Sequence, residues 1–289
     1  MRVDAFTRKS RSFNEDDYGF TKNMFWVIDG ATPRTNNLFN NFGYNSNAEW
    51  FAKTLSKNLY KYTYNNKPLY DIVRSALLDT RREFEEILNI SVDDIEEHLQ
   101  PGGSISIVKL NEDSAELLVI GDTLLISKFE SDRYYIYYGD EMHHKLDDKI
   151  TKFIMQKRKE NIPDEDREKQ ISEFILSIRK KYQNKEGGYP ELNISRVSED
   201  YIFNKKNYFY VKENEWPTEI LLASDGFYSL VTTFRVYDKF EDLLYTVKVH
   251  GTKKMVNMVY DYSILYDIDT IPRIKIFDDT TALYIKPKD

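Results

Sequence analysis

The chain has 289 residues, 41% apolar and 15% aromatic, which is ample for a packed core, and its 41 basic against 48 acidic residues leave a net charge of −7. That balance offers no global field to a phosphate backbone and disfavours nucleic-acid binding as the main role, so we expect no nucleic-acid partner. Cysteine is absent, which excludes a disulfide framework and sulfur-ligated zinc, and no apolar run approaches the roughly 18 residues of a membrane span. The opening MRVDAFTRKS has no signal-peptide core, so we expect a cytoplasmic protein without membrane contact.

In chain order, VDAFT and YGFTKNMFWVID read as strands separated by turns, the second ending in Asp29 and Gly30. Taken alone, Asp-Gly at a strand end is ordinary turn chemistry. A helix capped at Asn47 is predicted next, with Trp50, Phe51, Leu55, Leu59 and Tyr62 on one face. A second, after Pro68, carries a stripe of Ile72, Leu77, Phe84, Ile87 and Leu88. From Gly102 to about Glu141 the pattern predicts four consecutive strands in an antiparallel meander. Ile150, Phe153 and Ile154, then Ile171, Phe174, Ile175 and Ile178, predict two inserted helices, with Pro163 as the first residue of the second. The mixed-sign run QKRKENIPDEDREKQ between them reads as a solvated helix face. NYFYVK and EILLASDG resume the strands, two helices reach residue 265, and RIKIFDDTTALYIKP is a last strand interrupted by Asp278 and Asp279.

Acids thus stand against apolar strands in four places: Glu15 with Asp16, Asp29, Asp225, and Asp278 with Asp279. A buried carboxylate is costly unless it is paired or binds a metal. Only Arg11 is a basic residue matched to these strand ends. Hard divalent cations take carboxylate, carbonyl and water oxygens, so Mn²⁺ or Mg²⁺ suits the set, and two such ions can share an aspartate and activate a water. His143 and His144 are neighbours in a predicted strand and would face opposite ways, which disfavours a histidine site.

Taken in order, these motifs resemble the metal-dependent protein phosphatases of the protein phosphatase 2C type. The matching positions are Arg11 with Glu15 and Asp16, Asp29-Gly30, Gly102-Gly103-Ser104, Gly121-Asp122-Thr123, Ser224-Asp225-Gly226, and Asp278-Asp279 followed by Thr281. The resemblance implies an α+β fold, a four-layer αββα sandwich of two antiparallel sheets flanked by helices. It would form one phosphatase-2C-like domain over 1–289, with a helical flap-like insertion at about 140–200. By position, Asp29 would bridge two ions, the Gly30 carbonyl would bind one, and Asp225 and Asp278 would bind the other. Glu15 and Asp16 would hold bound waters, Asp122 with Asp225 would support a weaker third ion, and Arg11 would bind the substrate phosphate.

The implied activity is metal-dependent hydrolysis of phosphoserine and phosphothreonine in proteins, by in-line attack of a two-metal-activated water. Two alternatives share the motifs: a catalytically silent phosphatase-like binding module, and a phosphatase of small phosphate esters. This sequence departs from the family after Gly30, where Ala31-Thr32-Pro33 stands instead of a His- or Met-led stretch, so leaving-group protonation falls to water or another residue. Ser229 replaces a common aspartate, and Asp279 a usual asparagine.

Overall fold

A computed structural model describes residues 1–10, 12–31 and 37–288. Strands β1 (Arg2–Arg8), β2 (Asp16–Phe20) and β3 (Met24–Ala31) lead into helices α1 (Asn47–Tyr60) and α2 (Leu69–Leu88). Next come β4 (Gly102–Leu110), β5 (Ala115–Ile120), β6 (Leu124–Lys128) and β7 (Tyr134–Tyr137), then the long helices α3 (Glu141–Lys159) and α4 (Asp164–Tyr182). The short β8 (Leu192–Asn193) and α5 (Glu199–Ile202) precede β9 (Phe209–Glu213) and β10 (Glu219–Ala223). After these, α6 (Asp225–Thr232), α7 (Phe240–His250) and α8 (Thr252–Leu265) lead to β11 (Thr280–Lys286).

The strands form two antiparallel sheets, ordered β1-β11-β10-β6-β7 and β2-β3-β4-β5-β9, with β8 alongside the start of β4. Alternation along β3 shows how they stack, because successive side chains leave a strand on opposite faces. Met24, Trp26 and Ile28 share a core with Trp50, Phe51 and Leu55 of α1 and with Ile72 and Leu77 of α2. Phe25 and Val27 instead join Val108, Leu117 and Val119, and meet Leu125, Leu222 and Leu283 of the other sheet. That second sheet turns Leu124, Leu221 and Tyr284 outward against Phe227, Leu243 and Val256 of α6, α7 and α8. The result is the expected αββα sandwich. Burial on both faces of the central strands explains their unbroken apolar runs.

The expected helical insertion is present as a hairpin of α3 and α4 with a cluster of its own. Leu146, Ile150 and Ile154 pack against Ile171, Ile178 and Tyr189, and Phe153 stacks on Phe174 with centroids 4.0 Å apart. No helix among the described residues is long and apolar enough to cross a membrane.

Several elements differ from expectation, each for a local reason. Ser46, not Asn47, caps α1: its hydroxyl accepts from the Glu49 amide at 3.0 Å, while Asn47 Oδ1 accepts from the Leu38 amide at 2.8 Å. The four strands β4 to β7 are two hairpins in different sheets, and the chain crosses between the sheets at 121–123. Pro163 precedes α4 rather than beginning it. Three helices, not two, follow β10 up to residue 265. His143 and His144 lie in the first turn of α3, because the Asp140 carboxylate caps that helix by accepting from the His143 amide. Finally, β11 begins at Thr280, so Asp278 and Asp279 precede the strand instead of interrupting it.

Candidate metal centre

Asp29 continues the alternation of Phe25 and Val27, which carries its carboxylate to the face between the sheets. Strand register adds its neighbours: Asp16 of β2 lies opposite Asp29 on one side, and Ser104 of β4 lies opposite on the other. The second sheet brings Asp225, the first residue of α6, whose amide donates to Asp29 Oδ2 at 3.3 Å. Ser224 and Thr281 lock the end of β10 to β11, the Ser224 amide donating to the Thr281 carbonyl and the Thr281 amide to Ser224 Oγ, each at 3.0 Å. Two glycines permit this convergence. A Cβ at Gly103 would lie 2.3 Å from the Asp29 carbonyl oxygen, and one at Gly226 would lie 2.2 Å from that of Asp279.

Crowding these acids has an electrostatic signature. Burial pushes the Asp29 carboxyl well above the usual range, and Asp225, Asp16, Asp122 and Asp278 push it further. Asp225 is raised in the same way by burial, Asp278 and Asp122. Burial and then Asp279 push Asp16 up to about 8, against the opposing influence of the Thr281 and Ser224 hydroxyls. Each carboxylate is thus held where a second negative charge is unwelcome.

A cation answers them, and it was not anticipated from the sequence. Lys275 Nζ stands 2.7 Å from Asp278 Oδ1. Desolvation opposes its ammonium form, but Asp278, Asp225 and Asp29 outweigh that and raise its pKa well above the usual lysine value. Its side chain keeps 44% of its surface open, since it lines the cleft rather than a sealed core. Lys275 is thus a basic residue at these acids that the sequence reading, which matches only Arg11 to them, does not include. Arg11 itself lies outside the described residues, as do Thr32 and Pro33.

The remaining expected residues have specific partners. Asp279 braces the link between β1 and β2: Oδ1 accepts from the Ser10 amide at 2.6 Å and Oδ2 from the Glu15 amide at 2.8 Å. The Glu15 carbonyl in turn accepts from the Gly30 amide at 3.1 Å, which joins this link to β3. Asp122 Oδ1 accepts from Ser104 Oγ at 2.6 Å. Ser229 donates its hydroxyl back to the Gly226 carbonyl at 2.7 Å, within α6.

Among the described residues, no three His, Asp or Glu side chains stand in a metal-holding arrangement. The donor chemistry nevertheless fits a hard divalent cation. All the converging groups are oxygens, they repel one another, and Asp16 Oδ2 is buried without a hydrogen-bond partner among the described residues.

A cavity of about 430 Å³ opens beside the acids. Asp29, Asp122 and Asp225 line it on the sandwich side, while Leu146, Ile150 and Ile171 line it from the α3–α4 hairpin. His143, Arg179 and Glu191 add polar groups to the same lining. Sequence reasoning missed His143 as well as Lys275. The available signal was Asp140, three residues before His143, a good N-cap that would have turned the predicted strand into a helix start.

Two antiparallel sheets between helix layers, with acids gathered at one mouth, make up the fold of the protein phosphatase 2C type. The chain is similar to the Mycobacterium tuberculosis serine/threonine phosphatase PstP/Ppp over 98% of its own length and 97% of that chain, with a TM-score of 0.55 and 13% identity. Against the catalytic domain of PstP in complex with two manganese ions the shares are 98% and 96%, with a TM-score of 0.53 and 13% identity. Against the serine/threonine phosphatase Stp1 from Staphylococcus aureus they are 99% and 95%, with a TM-score of 0.53 and 14% identity. Identities this low speak to a shared fold. No protein-family model and no curated protein matches the chain.

Proposed function

We propose that this chain, as one phosphatase-2C-like domain, hydrolyses phosphoserine and phosphothreonine in proteins with two Mn²⁺ or Mg²⁺ ions. One observation carries the reading: at a single mouth of the sandwich Asp29 has Asp16 opposite it on the neighbouring strand and receives the amide of Asp225 from the end of the other sheet. Both acids raise its carboxyl pKa. Buried titratable groups that perturb each other beside a cavity mark a functional site more often than a structural one. The likeness to serine/threonine phosphatases, one of them holding manganese, supports the same reading.

In this reading Asp29 and the Gly30 carbonyl would hold one ion, and Asp29 with Asp225 and Asp278 would hold the other. Glu15 and Asp16 would orient water around them, Asp122 with Asp225 would support a weaker third ion, and Arg11 would hold the phosphate. When bound, the ions supply an activated water and offset charge on the phosphoryl oxygens. The chain supplies rigidity and shape. The buried strand fixes Asp29, the Ser224–Thr281 lock fixes Asp225 against the start of β11, and the aliphatic side chains of α3 and α4 keep water out of one side of the cavity.

The ion pair between Lys275 and Asp278 favours a second reading, a phosphatase-like module that binds without turnover, because an ammonium already holds the place of a cation. Hydrolysis of p-nitrophenyl phosphate and of a phosphothreonine peptide separates the two. Turnover with Mn²⁺ that is lost with EDTA and in Asp225→Asn is the expected result. Turnover that survives both would sink the metal-dependent mechanism, and none at all with Mn²⁺ would favour the silent module. Turnover of the aryl ester alone would point to small phosphate esters.

A further inference from the structure

Serine and threonine alkoxides are poor leaving groups, so the oxygen that departs from phosphorus needs a proton in the transition state. The cavity beside the acids contains a group built to give one. His143 lines it together with Asp29, Asp122 and Asp225, and is only 7% exposed. Asp140 holds it twice through the same oxygen: the His143 amide donates to Oδ1 at 2.9 Å, and ring Nδ1 stands 3.0 Å from it. A carboxylate there fixes the proton on Nδ1 as the donor, which leaves Nε2 as the nitrogen available to the cavity. Tyr189 packs on the ring with centroids 4.7 Å apart and holds its orientation.

The charged groups that act on His143 are Asp140, which caps α3, Asp147 within α3, Asp122 from the sheet crossing, and Glu191, itself paired with Arg179, from the segment beyond α4. Burial disfavours the imidazolium, but the Asp140 hydrogen bond and the charges of Asp122, Asp140 and Asp147 outweigh burial and raise its pKa. His144 has the opposite balance. Burial and the neighbouring His143 lower it, and it packs against Tyr138 instead.

We propose that His143 is the proton donor to the leaving oxygen of the phosphate ester, with Asp140 as its positioning residue. This rests on the hydrolytic reading above. As the bond from phosphorus to the ester oxygen breaks and the bond to the water oxygen forms, the Nε2 proton passes to the ester oxygen. The attacking water releases one proton, and the imidazole regains one from solvent, so the cycle needs no reactant besides water.

The test compares two leaving groups, the acidic phenol of p-nitrophenyl phosphate, which departs unprotonated, and the alcohol of a phosphothreonine peptide. His143→Gln is expected to lower the ratio of peptide to aryl-ester kcat by about 10²-fold or more, from the lower end of the range of general acid catalysis upward. Asp140→Asn should move the basic limb of the peptide pH profile to lower pH, because the imidazolium loses its partner. The histidine NMR titration of the metal-free protein should move the same way. Equal losses on both substrates in His143→Gln, with folding confirmed by melting, would overturn the proposal, and so would a selective loss seen in Asp147→Asn but not in His143→Gln. A wild-type protein that turns over neither substrate overturns the hydrolytic reading and this one with it. Wild-type turnover with an unmoved ratio overturns this one alone.

Discussion

Lys275 is the residue that most changes how the acid cluster is understood. Its ammonium stands on Asp278 and offsets the repulsion among Asp29, Asp225 and Asp278, so it competes with any divalent cation drawn to the same carboxylates. Lys275→Met should therefore tighten Mn²⁺ binding by about tenfold, equivalent to ~1.4 kcal/mol of relieved like-charge repulsion in a partly solvated cleft. The same change should lower the metal-free melting temperature. Calorimetric titration and melting curves give both numbers, and Mn²⁺ affinity that fell would refute the competition. The acids themselves were legible in the sequence because each follows or precedes an apolar run, where a carboxylate has no cheap excuse. Lys275 was not, since in IKIF it occupies what looks like the solvent side of a strand. Only the path of the link before β11 turns it toward Asp278.

At the scale of elements, the α3–α4 hairpin is tied to the sandwich by a buried ion pair. Arg179 of α4 makes a two-pronged contact with Glu191, at 3.1 and 2.8 Å, next to Leu192, which pairs with Gly103 of β4. Removing one partner strands a buried charge, so Arg179→Met should cost about 3 kcal/mol or more. Burial already raises the Glu191 pKa even with Arg179 present. A raised carboxyl contributes stability that is fully present below its unfolded pKa and lost as pH rises through the folded one. The penalty in Arg179→Met should thus be larger at pH 8 than at pH 5, and urea unfolding at the two values measures it. A penalty independent of pH would mean that the lost packing of Arg179, not its charge, matters. Both inserted helices were visible in the sequence from isoleucine spacing. Their docking was not, because it depends on contacts far apart in sequence, such as the Arg179 Nε donating to the His98 carbonyl.

For the whole molecule, the gathered carboxyls set how stability responds to pH. Asp29 and Asp225 are raised and Asp16 is pushed to about 8, all by burial first. Each binds more protons in the folded chain than in the unfolded one, where aspartate titrates near about 4. Their contribution is therefore complete below about pH 4 and is lost as pH rises through each folded value, about 8 for Asp16, and the raised His143 adds to the same trend over its own range. The melting temperature in EDTA should fall between pH 5 and pH 8, whereas the increment given by Mn²⁺ should grow, because metal binding requires the ionised carboxylates. A metal-free melting temperature that rose over this window would contradict the cluster. The αββα architecture could be anticipated from motif order, but the assignment of β5 and β6 to different sheets could not. Strands buried on both faces look alike whichever sheet they join.

The alternation that places Asp29 also gives β3 a phase. Met24, Trp26 and Ile28 belong to one core, and Phe25 and Val27 belong to another. One added residue between Met24 and Ile28 would exchange the two sets and swing Asp29 toward α1, where a Cβ at Gly30 already comes within 3.1 Å of the Ala48 Cβ. A change of letter along the strand therefore costs packing at one buried position, whereas a change of length re-aims every side chain beyond it. Its count of residues from the turn at 21–23 to Asp29 is as much a part of the site as the carboxylate itself.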